Sequence, residues 1–144
     1  MTKVEKWMKR NPITIDADAS IIETIHLMKE KGIRHLPVLK QGKFAGLITE
    51  QIIKEYTPSK ATSLDTWEIH YLLSKTPVKE AMDAKPCSVT PDTYLTDAAQ
   101  LIHDKKLYGL CVLNTKGDLV GIMTTTDILK ALITLCKNPQ ACQE

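Results

Sequence analysis

The chain has 144 residues, with 43% apolar and 25% charged side chains and a formal net charge of +2. That balance belongs to a folded globular protein and excludes disorder as the main state. The 19 Lys and Arg against 17 Asp and Glu are too balanced and too scattered for a dedicated nucleic-acid or membrane-surface protein. No stretch approaches the ~20 consecutive apolar residues of a membrane span. The first ten residues are charged and lack an apolar centre, so they do not read as a secretory signal. Cys87, Cys111, Cys136 and Cys142 show no CxxC spacing and no close His. They read as reduced thiols of a cytoplasmic protein, with no disulfide frame and no metal site.

In chain order, Ile13-Thr14-Ile15 is a β-branched run after a proline and predicts a short strand. Ser20 with Glu23 three residues later forms a capping box. Ile21, Ile22, Ile25 and Met28 then make a helical stripe that Gly32 closes. Leu36 to Leu39 and Phe44 to Ile48 read as a hairpin turning at Gln41-Gly42. Thr49 opens a second helix through Ile52 and Ile53, and Tyr56-Thr57-Pro58-Ser59-Lys60 should break it. Asp65 and Glu68 form another capping box. Leu64, Trp67 and Tyr71, with Leu72 and Leu73 beside them, make a connector helix amphipathic until Pro77. Packing of that face against the rest of the chain is the expectation, and a dimer or partner surface on Trp67 and Tyr71 is the alternative.

The second half repeats the first. Ser88-Val89-Thr90 is its opening strand. Thr96 to Lys105 is its helix, with Ala98, Ala99, Leu101 and Ile102 inward. Leu110 to Leu113 and Leu119 to Met123 form its hairpin, and Thr124 to Cys136 its last helix. Val4 falls on Val78, Met8 on Met82, Pro12 on Pro86, Leu36 on Leu110 and Val38 on Val112, all at one offset. After one extra residue in the second turn, Gly46 falls on Gly121, Thr49 on Thr124 and Ile53 on Ile128. The chain is therefore a duplicated unit, strand-helix-strand-strand-helix, at roughly 4–55 and 78–133. The boundaries read as 1–56, a helical connector at 57–77, and 78–144. A unit of about 50 residues buries too little surface to stand alone, so an α+β pseudo-two-fold pair with a shared cleft is expected.

The pattern resembles the CBS domain, and the chain resembles a stand-alone CBS pair, or Bateman module. The resemblance is carried by Val4 to Met8 leading to Asn11-Pro12-Ile13-Thr14-Ile15, by Ile33-Arg34-His35-Leu36-Pro37-Val38, and by Gly46-Leu47-Ile48-Thr49. The second copy repeats them as Val78 to Met82, Pro86 to Thr90, Leu107 to Val112 and Gly121 to Ile128. The connector, Pro58 to Asp65 followed by Glu68 to Leu73, is similar to that of the acetoin-utilisation protein B-like branch. The resemblance implies a regulatory module for an adenosine-containing ligand: AMP, ADP, ATP or S-adenosylmethionine. No cofactor is required. It implies a cytoplasmic homodimer, formed through helices such as the last one (Ile128, Leu129, Leu132, Ile133, Leu135), that signals in trans to an unknown effector protein.

The resemblance also implies where a ligand sits. Thr124, Thr126 and Asp127 run from a strand into a helix N-terminus, where amides and the helix dipole favour phosphate. Asp127 would hold the ribose hydroxyls, or alternatively these residues only cap the helix. Their partners would be Ile13, Ile33, Arg34, His35 and Pro37, the two isoleucines holding the purine and Arg34 or His35 reaching phosphates. The opposite site would use Thr49, Gln51 and Ile52 with Cys87, Leu107, Tyr108 and Cys111. It has Ile52 in place of the acid, and is expected to be weak, empty or adapted to another ligand.

No catalytic residue is assigned. There is no nucleophile elbow, P-loop or zinc helix. His26, His70 and His103 read as surface residues, and Asp16, Asp18 and Asp92 as helix caps. An interaction-only pair without a ligand is one alternative, and a nucleotide-processing enzyme using Asp127 and His35 is another.

Overall fold

A computed structural model describes residues 1–61 and 64–138, with the backbone alone at 58–61. The chain forms two compact units: Met1–Pro12 with Cys87–Glu144 (unit one), and Ile13–Pro86 (unit two). These units are not the two sequence copies. The leading segment of each copy belongs to the unit built by the other copy's body.

The chain starts with α1 (Val4–Trp7) and β1 (Lys9–Arg10), both in unit one. Unit two follows as β2 (Ile15–Asp16), α2 (Ile21–Lys31), β3 (His35–Lys40), β4 (Lys43–Thr49), α3 (Glu50–Ala61) and α4 (Thr66–Lys75), closing with a 3-10 turn at Val78–Glu80. Its sheet has the order β2-β3-β4, parallel then antiparallel. Ser20 caps α2 by accepting the Glu23 amide at 3.1 Å, and Gly32 closes it at φ 64°, where a side chain would be strained. Leu36, Val38 and Ile48 are fully buried against Ile21 and Val78.

Unit one continues with β5 (Ser88–Val89), α5 (Leu95–Lys105), β6 (Gly109–Leu113), β7 (Leu119–Thr124) and α6 (Thr125–Lys137). Its sheet runs β1-β7-β6-β5. The buried residues Val4, Ala98, Leu110, Val112, Met123 and Ala131 form its core. The strand-helix-strand-strand-helix order thus appears in both copies, and both hairpins shift register at matching positions, Val38/Leu39 and Val112/Leu113.

The leading segments dock by the same hydrogen bonds. The Val4 and Glu5 amides donate to Thr93 and Pro91 oxygens at 2.8 and 3.1 Å. The Val78 and Lys79 amides donate to the corresponding Ala19 and Ala17 oxygens at 2.7 and 3.1 Å. Glycine makes the close approach possible. A Cβ at Gly46 would lie 2.5 Å from the Asp83 carbonyl oxygen, and one at Gly121 would lie 2.6 Å from Met8 Sδ and 2.9 Å from the Lys9 carbonyl oxygen.

Several expectations are corrected. Ile13 and Thr14 precede β2, which pairs only at Ile15–Asp16; Thr90 likewise lies beyond β5. Helix α3 does not break at Tyr56–Lys60 but passes through Pro58 to Ala61. A proline removes one amide donor, and its neighbours still hold the helical path: the Thr57 hydroxyl donates to the Ile53 oxygen at 2.8 Å. Asp16, Asp18 and Asp92 cap no helix. Asp16 accepts the Asp18 amide at 2.8 Å, Asp18 pairs with Lys79 at 2.9 Å, and Asp92 pairs with Lys3 at 3.6 Å. Asp65 does cap α4, accepting the Glu68 amide at 2.8 Å. That helix turns Leu73 and Ile69 to the core, while Trp67 and Tyr71 are 84% and 66% exposed. Its aromatic face therefore does not pack on the described residues. Cys87 and Cys136 carry reduced thiols, Cys111 is buried on β6, and Cys142 lies outside the described residues. Among the described residues no cluster is placed to hold a metal, and no helix is long and apolar enough to cross a membrane.

Candidate ligand-binding site

In unit one, Thr124 ends β7 and α6 begins at the next residue. The carboxylate of Asp127 is 4% exposed and fully engaged at Oδ2, which accepts the Thr124 amide at 2.8 Å and the Thr124 hydroxyl at 3.1 Å. Its Oδ1 receives the Lys9 ammonium at 2.7 Å. Asp127 is thus both a cap and an ion-pair partner. Such an acid is costly to bury unless its oxygens are satisfied, and here they are. Thr126 is exposed on the first turn of α6. Thr125 turns back, its amide and hydroxyl donating to the Tyr108 oxygen at 3.0 and 3.1 Å.

The remaining predicted residues of this site lie in unit two. Ile33 and Arg34 follow Gly32, and His35 opens β3. Ile13 is 41% exposed, ahead of β2. Pro37 is fully buried in β3, so its side chain offers no exposed surface to a ligand. Ile33 and Arg34 also line a cleft of about 420 Å³ between α2 and α3, floored by Ile25, Met28 and Ile53. At its rim Glu50 bonds Lys54 at 2.8 Å and faces Arg34 at 3.7 Å. The Lys54 ammonium, hydrogen-bonded to Glu50, holds that carboxyl below its ordinary range, with Arg34 adding a smaller charge effect. The sequence reading missed this cleft, because its floor residues look like ordinary core positions of an amphipathic helix.

The equivalent turn in unit two is built differently. Thr49 caps α3 directly, its hydroxyl accepting the Ile52 amide at 3.1 Å. Gln51 donates to Glu55 at 3.1 Å along the helix. Of the residues expected opposite it, Leu107 and Cys87 pack against the core of unit one, Cys111 is buried, and Tyr108 is exposed.

The CBS-domain family model matches residues 4–58 and 78–134. The chain belongs to the CBS-domain family. Among curated CBS relatives, an uncharacterized protein of Methanocaldococcus jannaschii, MJ1426, is 29% identical, over 89% of this chain and 90% of its own length. The inosine-5'-monophosphate dehydrogenase of Korarchaeum cryptofilum is 27% identical over 88% of this chain but only 23% of the enzyme. The tandem CBS fold recurs in AcuB of Vibrio cholerae, an acetoin utilization protein by name (TM-score 0.80, 27% identity, 98% of this chain and 97% of that one). It recurs in CBSX2, solved with AMP (TM-score 0.79, 22% identity, 94% and 98%). It recurs again in the CBS pair of MJ0100, solved with methylthioadenosine and S-adenosylmethionine (TM-score 0.75, 23% identity, 92% and 96%).

Proposed function

We propose that this chain is a regulatory CBS pair that binds an adenosine-containing small molecule and performs no chemistry on it. The observation that carries the reading is the Thr124–Asp127 turn: a nearly buried carboxylate, held by Thr124 at a helix N-terminus. A carboxylate in that place suits the ribose hydroxyls, and the helix N-terminus suits phosphate. Thr124, Thr126 and Asp127 would act with Ile13, Ile33, Arg34, His35 and Pro37. The binding of AMP by CBSX2 and of S-adenosylmethionine by the MJ0100 pair supports this ligand class. The turn at Thr49, with Ile52 in place of the acid, would bind weakly or not at all. Ligand binding would shift the population of conformers, and an effector in trans would respond to the shift. The reading places the protein in the cytoplasm as a homodimer. Its α6 supplies Leu129, Leu132 and Ile133, each more than half exposed.

A thermal-shift series with AMP, ADP, ATP and S-adenosylmethionine tests the proposal. A ligand present at about 100 times its Kd adds about 2.7 kcal/mol, and raises Tm by roughly 5–10 °C for a chain of this size. Asp127→Ala should abolish most of that rise. Silence from all four compounds refutes it and leaves the interaction-only pair. That second reading draws on a specific observation: the three contacts of Asp127 already satisfy much of its carboxylate, and Pro37 is sealed in the sheet. Sedimentation of the wild type against Leu132→Asp tests the dimer, which should dissociate to monomer in the variant.

A further inference from the structure

We propose that Lys9 is a latch on Asp127: it holds the carboxylate in the ligand-free chain and must release Oδ1 when a ribose hydroxyl arrives. The inference rests on the ligand class just proposed and adds a residue to it, one that acts by positioning Asp127. Lys9 belongs to the leading segment, where it pairs with Ile122 across β1 and β7. Its Nζ stands 2.7 Å from Asp127 Oδ1, across 118 positions of sequence. The Lys9 side chain is 53% exposed, whereas Asp127 is 4% exposed.

The other copy shows that the fold does not need this pair. At the matching positions stand Asp83 and Ile52. At that point the leading segment is held by backbone, the Leu47 and Asp83 amides each donating to the other's oxygen at 2.9 Å. An apolar residue in place of Asp127 is thus compatible with the architecture. An acid buried without a partner would be costly, so the acid and its lysine make sense together, and only in unit one.

The two carboxylate oxygens are held unequally. Oδ2 takes both Thr124 bonds, one of them from the backbone, so that end is fixed. Oδ1 is held by a flexible, half-solvated side chain that can swing into water at modest cost. An arriving hydroxyl would donate to Oδ1 in place of the ammonium, and the carboxylate would not have to move. Release also removes an ion pair that ties α6 to β1.

The probe is adenosine, which carries the ribose but no phosphate. Calorimetry on the wild type, Lys9→Met and Asp127→Asn reads the competition. Lys9→Met should bind adenosine about two- to fivefold more tightly, the factor a half-exposed ion pair is worth, and Asp127→Asn more weakly than wild type. Unchanged or weaker binding by Lys9→Met overturns the competition. Hydrogen exchange without ligand reads the tie itself. The amides of residues 9 and 10 should exchange faster in both variants, with residues 78–85 unchanged. Equal protection overturns the latch whether or not adenosine binds. If Lys9→Met fails to fold, the double variant Lys9→Met with Asp127→Ile removes the stranded charge and carries the exchange measurement. A chain that binds none of AMP, ADP, ATP, S-adenosylmethionine and adenosine, yet shows the faster exchange, refutes the ligand reading and with it the competition, and leaves the tie standing as a structural clasp.

Discussion

The two units use one plan with two different fastenings. In each, a short leading segment from one copy lies against the body of the other, docked by matching backbone bonds at Val4 and Glu5 or at Val78 and Lys79. Unit two adds an ion pair between groups that both face water, Lys79 with Asp18. Unit one adds the comparably exposed Lys3–Asp92 pair and, in addition, Lys9 on a buried Asp127. The shared bonds are what duplication preserved for folding. The unshared buried acid is what folding alone does not explain, and it lies at the strand-to-helix turn where the ligand reading places ribose.

Substitution at the paired glycines should break this comparison most strongly. A methyl at Gly46 meets a backbone oxygen at 2.5 Å, which cannot step aside without moving the leading segment. A methyl at Gly121 meets the flexible tip of Met8 first, and a backbone oxygen only at 2.9 Å. Gly46→Ala should therefore cost about 2–3 kcal/mol and Gly121→Ala about 1–2 kcal/mol, as overpacking does. Urea unfolding of the two variants measures both. Equal losses would show that side-chain adjustment at Met8 contributes nothing.

Transplanting the buried pair comes next in size. Ile52→Asp alone puts an acid opposite Asp83, with no cation supplied, and should cost about 1–3 kcal/mol. Adding Asp83→Lys recreates the pairing of unit one and should return about 0.5–1 kcal/mol of that loss, the coupling a double-mutant cycle would read. No coupling would mean that the turn in unit two cannot present the acid as α6 presents Asp127.

Much of this was legible in the residues. The duplication, the two hairpins and the α2 ends at Ser20 and Gly32 follow from local patterns, because caps, turns and helical stripes act within a few residues. What was illegible is non-local. Nothing in Val4–Arg10 says that its segment pairs with β7, since pairing of residues over 100 positions apart leaves no local periodicity. Pro58 misled because a proline's local cost does not by itself end a helix. Trp67 misled because α4 carries apolar residues on two sides, Trp67 and Tyr71 on one and Ile69 and Leu73 on the other, and amphipathic spacing cannot say which is covered. For the site, the residue types at Thr124, Thr126 and Asp127 were visible, whereas the ammonium on Asp127 required the fold.

The smallest effect is one of pH, and it separates the two fastenings by their solvent exposure. The Lys79 hydrogen bond, and then its charge, holds the Asp18 carboxyl below its ordinary range, and Asp18 raises Lys79 in return. A depressed carboxylate contributes stability that is complete above its unfolded pKa of about 4 and is lost as pH falls through the lower folded value. A raised amine contributes stability that is complete below about 10.4 and is lost as pH climbs through the higher folded value. Unit two should therefore carry a shallow acid shoulder, to which Asp18 and the Lys54-paired Glu50 both contribute, and a shallow alkaline one from Lys79. Lys79→Ala should remove the alkaline shoulder and shrink the acid one in a Tm-against-pH series, and 1 M salt should flatten both in the wild type, because exposed charges are screened. Salt should leave the exchange protection of Lys9 and Arg10 largely intact, since one partner of that pair is out of the solvent. If salt loosened residues 9 and 10 as readily as it flattened the Lys79 shoulders, the burial of Asp127 would confer no shielding, and the two fastenings would be physically the same.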